Sequence, residues 1–273
     1  ALQTLTERDG VLAIALPFDT SGRIAAFVKW SRRWATLTAP YRQPDGGAIC
    51  PSKRPPTARP ALGWRADKAM NMATTLYQRA KHIVRDSHRW GVRRYRPRIL
   101  RTFAHDESAF TQGLAFHNGR IFESTGLDHR SSLRCLDADT GALLRQIAIP
   151  DDWAEGVAVD GAGRLLQLSW KRGIATIFAP ESLERLGSYD YAGEGWGLTS
   201  APGGFVMPDG SNVLQYRDER FDIRETKRVT NFGRRVGHLN DLAYADGHLF
   251  VNVWYRDDIL QICAKTGRIA AVA

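Results

Sequence analysis

Residues 93–273 predict an all-β fold of the β-propeller type, and three features carry that expectation. The first is a repeat: Leu114 of "TQGLAF", Val157 of "AEGVAV", Leu198 of "GWGLTS" and Leu242 of "LNDLAY" recur at spacings of 43, 41 and 44 residues. The second is texture, short apolar runs broken by Gly, Asn and Asp with little helical period, which reads as strands. The third is turn chemistry, since pairs such as Asn118-Gly119 suit tight antiparallel hairpins. Four short strands in each of these periods describe the blades of a propeller. A solenoid of parallel strands would share the repeat, and the hairpin turns count against it.

Each repeat reads in the same order. The aligned apolar strand comes first, and a turn with a second strand follows in "HNGRIFEST", "GAGRLLQLSW", "APGGFVMPDG" and "ADGHLFVNVW". A further hairpin completes it in "SLRCLDADTGALLRQI", "IATIFAPESLERLGSY", "NVLQYRDERFDIRET" and "DILQICAKTGRIAAV". Residues 1–92 are of another kind, a basic extension containing prolines. "VLAIALPF" and "RIAAFVKW" suit two strands, while "PSKRPPTARP" carries four prolines in ten residues, which is linker chemistry. Residues 66–86 place Ala69, Met72, Ala73, Leu76, Ala80, Ile83 and Val84 at helical spacing, so one amphipathic helix is expected there. The division is therefore 1–92, the extension, and 93–273, about four blades of a propeller.

Composition narrows the function classes. With 273 residues, 43% of them hydrophobic and 25% charged, the chain can bury a real core. The net charge of +9 is lopsided: residues 1–98 hold 19 basic against 6 acidic side chains, and the rest hold 19 against 23. The repeat region thus has no basic surplus with which to bind a phosphate backbone, and no nucleic acid is expected as a partner. No apolar run approaches 18 residues, so no transmembrane segment is expected. The start, "ALQTLTERDG", lacks the basic and apolar regions of an export signal. The three cysteines, Cys50, Cys135 and Cys263, form no CxxC, and no histidines stand at ligand spacing, so no metal is expected.

The polar residues fall in a pattern. Two positions before each aligned apolar residue stand Gln112, Glu155, Trp196 and Asn240. First strands line the central channel of a propeller, so these four side chains should meet in one ring at its mouth. A carboxylate, two amides and an indole suit a small-molecule pocket better than a core. Trp170 and Trp254 occupy corresponding places after the second strands, in "LSW" and "NVW". Taken singly, each suits blade packing. Around Glu155 they form a low-dielectric box, which raises a carboxyl's pKa towards the range of a proton shuttle. Glu123, in "ESTG", reads as a hydrogen-bonding group between blades, and His105, His117, His129 and His238, which share no common face or ligand spacing, read as structural or surface residues.

"FTQGL", "FESTGL", "AEGVA", "GWGLT", "PDGS" and "LND" followed by "NVW" resemble, over residues 97–273, the plant and bacterial type of glutaminyl cyclase, or glutamine cyclotransferase. The resemblance implies a five-bladed propeller that converts the N-terminal glutamine of peptides and proteins to pyroglutamate, releasing ammonia without a metal or other cofactor. It places the catalytic glutamate on Glu155 and the substrate pocket on Phe110, Gln112, Trp170, Trp196, Asn240 and Trp254. It also implies a periplasmic or secreted location, and a monomer is expected. A fifth inner strand would fall near residue 285 by the same spacing, so the expectation is a ring truncated within or before its last blade, without that blade's pocket lysine. Two other readings stay open: a propeller that binds a peptide terminus without turnover, and a metal-dependent lactonase. Against the latter, only Glu155 in the aligned ring is acidic.

Overall fold

The repeat folds into successive antiparallel meanders. The computed structural model describes residues 3–8, 11–15, 23–29, 92–95, 99–106, 108–256 and 258–273. Before the first repeat lie β1 (Gln3–Arg8), β2 (Val11–Ala15), β3 (Arg23–Lys29), β4 (Arg93–Arg94) and β5 (Ile99–Ala104). The first repeat forms β6 (Thr111–His117), β7 (Arg120–Thr125), β8 (Ser132–Asp137) and β9 (Leu143–Ala148). The second forms β10 (Ala154–Val159), β11 (Leu165–Ser169), β12 (Ile174–Phe178) and β13 (Arg185–Asp190). The third forms β14 (Thr199–Ala201), β15 (Gly204–Pro208), β16 (Val213–Arg217) and β17 (Ile223–Arg228). A small hairpin, β18 (Thr230–Asn231) and β19 (Arg234–Arg235), precedes the fourth, β20 (Leu239–Ala245), β21 (His248–Val253), β22 (Ile259–Cys263) and β23 (Ile269–Val272).

Each repeat is one sheet with its strands in sequence order, an all-β arrangement of propeller type. β4 adds to the fourth sheet in parallel with β23, pairing Arg93 with Ala271 and Arg94 with Val272. A further four-stranded sheet takes the order β1-β2-β3-β5, so the strands expected at "VLAIALPF" and "RIAAFVKW" are present as β2 and β3. β1 lies beside both β6 and β20. No helix occurs among the described residues, and the helix expected over 66–86 lies outside them.

In the first two repeats burial falls from the first strand to the last. β7, β11 and β15 are buried on nearly every residue, whereas β9, β13 and β17 are largely exposed. First and second strands are clasped between neighbouring sheets, so they need apolar residues on both faces, and the outermost strand faces water. The aligned residues Leu114, Val157, Leu198 and Leu242 are all buried. Cys135 is buried and Cys263 half-buried, both as free thiols.

The glycine that follows each ring residue has a packing reason. A Cβ on Gly156 would lie 2.4 Å from the Leu198 backbone nitrogen and 2.7 Å from Gly197 Cα. One on Gly113 would lie 2.8 Å from Gly156 Cα. The first strands therefore approach one another backbone to backbone around the axis, at a distance only glycine permits. That explains the echo of "QGL", "EGV" and "WGL". In the fourth repeat the same position is Asp241, which is buried.

Candidate active site

The ring residues owe their aim to interruptions in the strand register. Pairing of β6 with β7 shifts between Thr111 and Gly113, that of β10 with β11 between Ala154 and Val157, and that of β20 with β21 between Leu239 and Leu242. Gln112, Glu155 and Asn240 sit inside these three bulges. An extra residue breaks the strict alternation of faces and re-aims its side chain. Trp196, just before β14, is anchored by its backbone instead: its N–H donates to Pro208 at 3.3 Å, and its carbonyl accepts from Gly156 at 3.1 Å.

The geometry brings the predicted residues together. Phe110, Gln112, Glu155, Trp170, Trp196, Asn240 and Trp254 all line one cavity of about 270 Å³, and Trp153 joins them. Gln112, Glu155 and Asn240 are only 8%, 6% and 6% exposed, whereas Phe110 and Trp254 stand at the rim at 42% and 37%. Trp153 and Trp170 pack with ring centroids 5.4 Å apart, and Trp196 meets Trp254 edge-on at 5.3 Å. Outside Trp254, Tyr255 stacks on it at 3.9 Å. Lys171 lies over the other wall, its Nζ 3.8 Å from the Trp170 ring centre.

Glu155 is the chemical centre of this box. Its Oε1 accepts a hydrogen bond from Gln112 Nε2 at 2.8 Å. Burial among the indoles holds its carboxyl well above the ordinary carboxylate range, and the charges of Asp241 and, less, Glu194 push the same way. The Trp153 indole and the Gln112 amide favour the charged form without offsetting burial. The arrangement is a buried carboxyl with a raised pKa, facing an aromatic enclosure with two amides.

The strand that presents Phe110 and Gln112 is pinned by a buried charge network. Glu123, fully buried on β7, accepts from Thr111 Oγ1 at 2.5 Å and from Arg134 at 3.2 Å, and pairs with His105 at 2.7 Å. Arg134 also reaches Asp106 at 3.1 Å. The sequence reading has Glu123 hydrogen-bonding between blades; its partners Thr111 and Arg134 instead belong to its own sheet, and His105 joins them. No group of three or more His, Cys, Asp or Glu side chains with metal-binding geometry occurs among the described residues.

Three contributors escaped the sequence reading. Trp153 precedes its strand, four residues before Val157, the place Phe110 holds before Leu114, so the repeat spacing was a signal available for it. Glu194 lies in a turn and acts on two indoles from behind. Asp241 occupies the place of a repeat glycine, and that departure from "QGL", "EGV" and "WGL" was a signal available in the sequence.

Fold and site together define a protein of β-propeller type, with a buried carboxyl in a tryptophan box at the start of the first strands. Residues 68–273 match the family described as glutamine cyclotransferase. The chain belongs to the glutamine cyclotransferase family, as the motif resemblance implied. It is similar to a glutaminyl-peptide cyclotransferase of Arabidopsis thaliana, at 31% identity over 175 residues, 63% of this chain and 54% of the relative. The chain thus spans about half the length of that curated relative. It is also similar to the crystal structure of Myxococcus xanthus glutaminyl cyclase, at 35% identity and a TM-score of 0.62, over 66% of this chain and 77% of that one. A protein of unknown function from Bacteroides caccae shares the fold alone, at 12% identity and a TM-score of 0.51, over 99% of this chain and 80% of that one.

Proposed function

We propose that this protein cyclises the N-terminal glutamine of peptides and proteins to pyroglutamate, with Glu155 as general acid and base and with no metal. The observation that carries the reading is Glu155 itself: buried, bonded to Gln112 and enclosed by tryptophans. The substrate brings its own nucleophile, because its α-amine lies within five-membered-ring reach of the γ-carboxamide. Much of the entropic barrier is then met by the substrate, provided the pocket holds the folded rotamer. An α-amine with a pKa near 8 is mostly protonated at neutral pH. Glu155 takes a proton from it, the freed nitrogen attacks the carboxamide carbon, and a new C–N bond forms. The tetrahedral intermediate collapses as Glu155 returns a proton to the amide nitrogen and its C–N bond breaks; the departing ammonia takes up the second proton of the attacking nitrogen and leaves as ammonium. Gln112 and Asn240 orient the carboxamide and stabilise its developing oxyanion. The tryptophans enclose the side chain and exclude water.

The same proposal extends to the ring. The sheet of β1, β2, β3 and β5 takes the place of a fifth blade, a reading supported by β1 lying beside both β6 and β20. Closure of that kind covers strand edges that an open ring would leave exposed. The test of function is incubation with a Gln-initiated dipeptide while following ammonia release, with and without EDTA. Pyroglutamate formation unaffected by chelator is the expected outcome. Binding without turnover would favour a peptide-binding platform, and turnover abolished by chelator would contradict the metal-free chemistry.

A further inference from the structure

Glu194 stands behind the cavity in the turn between β13 and β14, yet it holds two of the cavity's walls. Its Oε2 accepts the indole N–H of Trp170 at 2.9 Å and that of Trp196 at 3.0 Å. Trp170 follows the second strand of the second sheet, and Trp196 leads into the first strand of the third. One carboxylate oxygen therefore ties walls from two blades across the seam between them. Trp153 packs on Trp170 and Trp254 meets Trp196 edge-on, so all four tryptophans of the cavity connect through this single acceptor. The backbone seats the residue as well. Gly195 N–H donates to the Trp170 carbonyl at 2.9 Å, and a Cβ on Gly195 would lie 3.0 Å from the Ser169 carbonyl oxygen. A charged acceptor makes bonds roughly twice as strong as a neutral one, which suits a residue holding two donors with one oxygen.

We propose that Glu194 is a positioning residue for the cyclisation put forward above, fixing the angle between Trp170 and Trp196. The inference rests on that proposed function, because the angle sets the space in which the glutamine side chain must fold back on its own amine. Glu194 is not part of the cavity lining, so it exchanges no proton with the substrate and acts through the indoles. What the site needs at this point is an acceptor oxygen. A side chain that keeps the oxygen but loses the charge should keep most of the function.

The test compares full-length wild type, Glu194→Ala and Glu194→Gln by turnover of a Gln-initiated dipeptide and by near-ultraviolet circular dichroism of the tryptophan bands. Glu194→Ala is expected to lose on the order of 100-fold in kcat with a smaller change in KM, as misplaced walls fail to hold the reacting rotamer. It should also lose tryptophan dichroism. Glu194→Gln is expected to stay within about tenfold of wild type, the difference between a charged and a neutral acceptor, and to keep the bands. An alanine variant with wild-type kcat, or a glutamine variant as slow as alanine, overturns the proposal. If the wild type itself shows no turnover, the proposed function has failed. The clamp is then judged by dichroism alone, and unchanged bands in Glu194→Ala overturn it.

Discussion

At position 155, burial and neighbouring charge act in the same direction. The native state holds a proton on Glu155 above the ordinary pKa of 4.5, the value around which the unfolded chain releases its own. The sign of the linkage follows: the folded form binds more protons than the unfolded one between those two pKa values, so stability falls as pH rises through that window. Glu155→Gln carries no such charge. Its melting temperature should match that of wild type near about pH 4 and exceed it near about pH 8, by about 2–4 °C for each kcal/mol of penalty relieved. Thermal melts of both proteins across this range check the sign, and a wild type that gains stability over Glu155→Gln as pH rises would contradict it. The neighbours of Glu155 differ in how legible they were. Gln112, Asn240 and Trp196 occupy equivalent repeat positions, so sequence spacing alone finds them. Trp153 sits just outside the aligned strand, but at the same offset before Val157 as Phe110 before Leu114, so the spacing could have found it. Glu194 acts across a seam between blades, and no local pattern encodes a contact 24 residues from Trp170.

Among the elements, the first strands do two jobs that conflict in an ordinary sheet. They must pack backbone to backbone around the axis, and they must turn a polar side chain to the channel mouth. Glycine solves the first and the bulge solves the second, one residue apart. The glycines were visible as an echo in the sequence. The bulges were not, because a single extra residue in one strand leaves the hydrophobic pattern almost unchanged. Gly156→Ala should expose how tight this packing is. Its Cβ would meet backbone at 2.4–2.7 Å, and backbone cannot step aside as a flexible side chain would. The expected cost is about 1–3 kcal/mol of stability, measured by denaturant titration, with Glu155 displaced and turnover reduced accordingly. A variant as stable and active as wild type would show that the strands are spaced more loosely than described here.

On the scale of the whole molecule, rotational repetition turns weak local signals into a site. Strands contributed by residues up to about 130 apart in sequence, from Gln112 to Asn240, reach one cavity because successive blades are related by rotation about a common axis. The same logic left the sheet of β1, β2, β3 and β5 illegible: its strands carry no copy of the repeat, and β5 is separated from β3 by a long stretch of sequence. If that sheet closes the ring, removal of residues 1–30 should lower the melting temperature by about 10 °C or more and abolish turnover, since β6 and β20 would lose a neighbour. Unchanged melting and turnover in the shortened chain would leave the ring closed by other means. The central claim is that one carboxyl in an aromatic enclosure performs the proton transfers of cyclisation. Ammonia release from a Gln-initiated dipeptide, measured side by side for wild type and Glu155→Gln at matched folding, tests it most directly. The expected result is steady release by wild type and a loss of at least about 100-fold in the variant; release by the variant at the wild-type rate would contradict it.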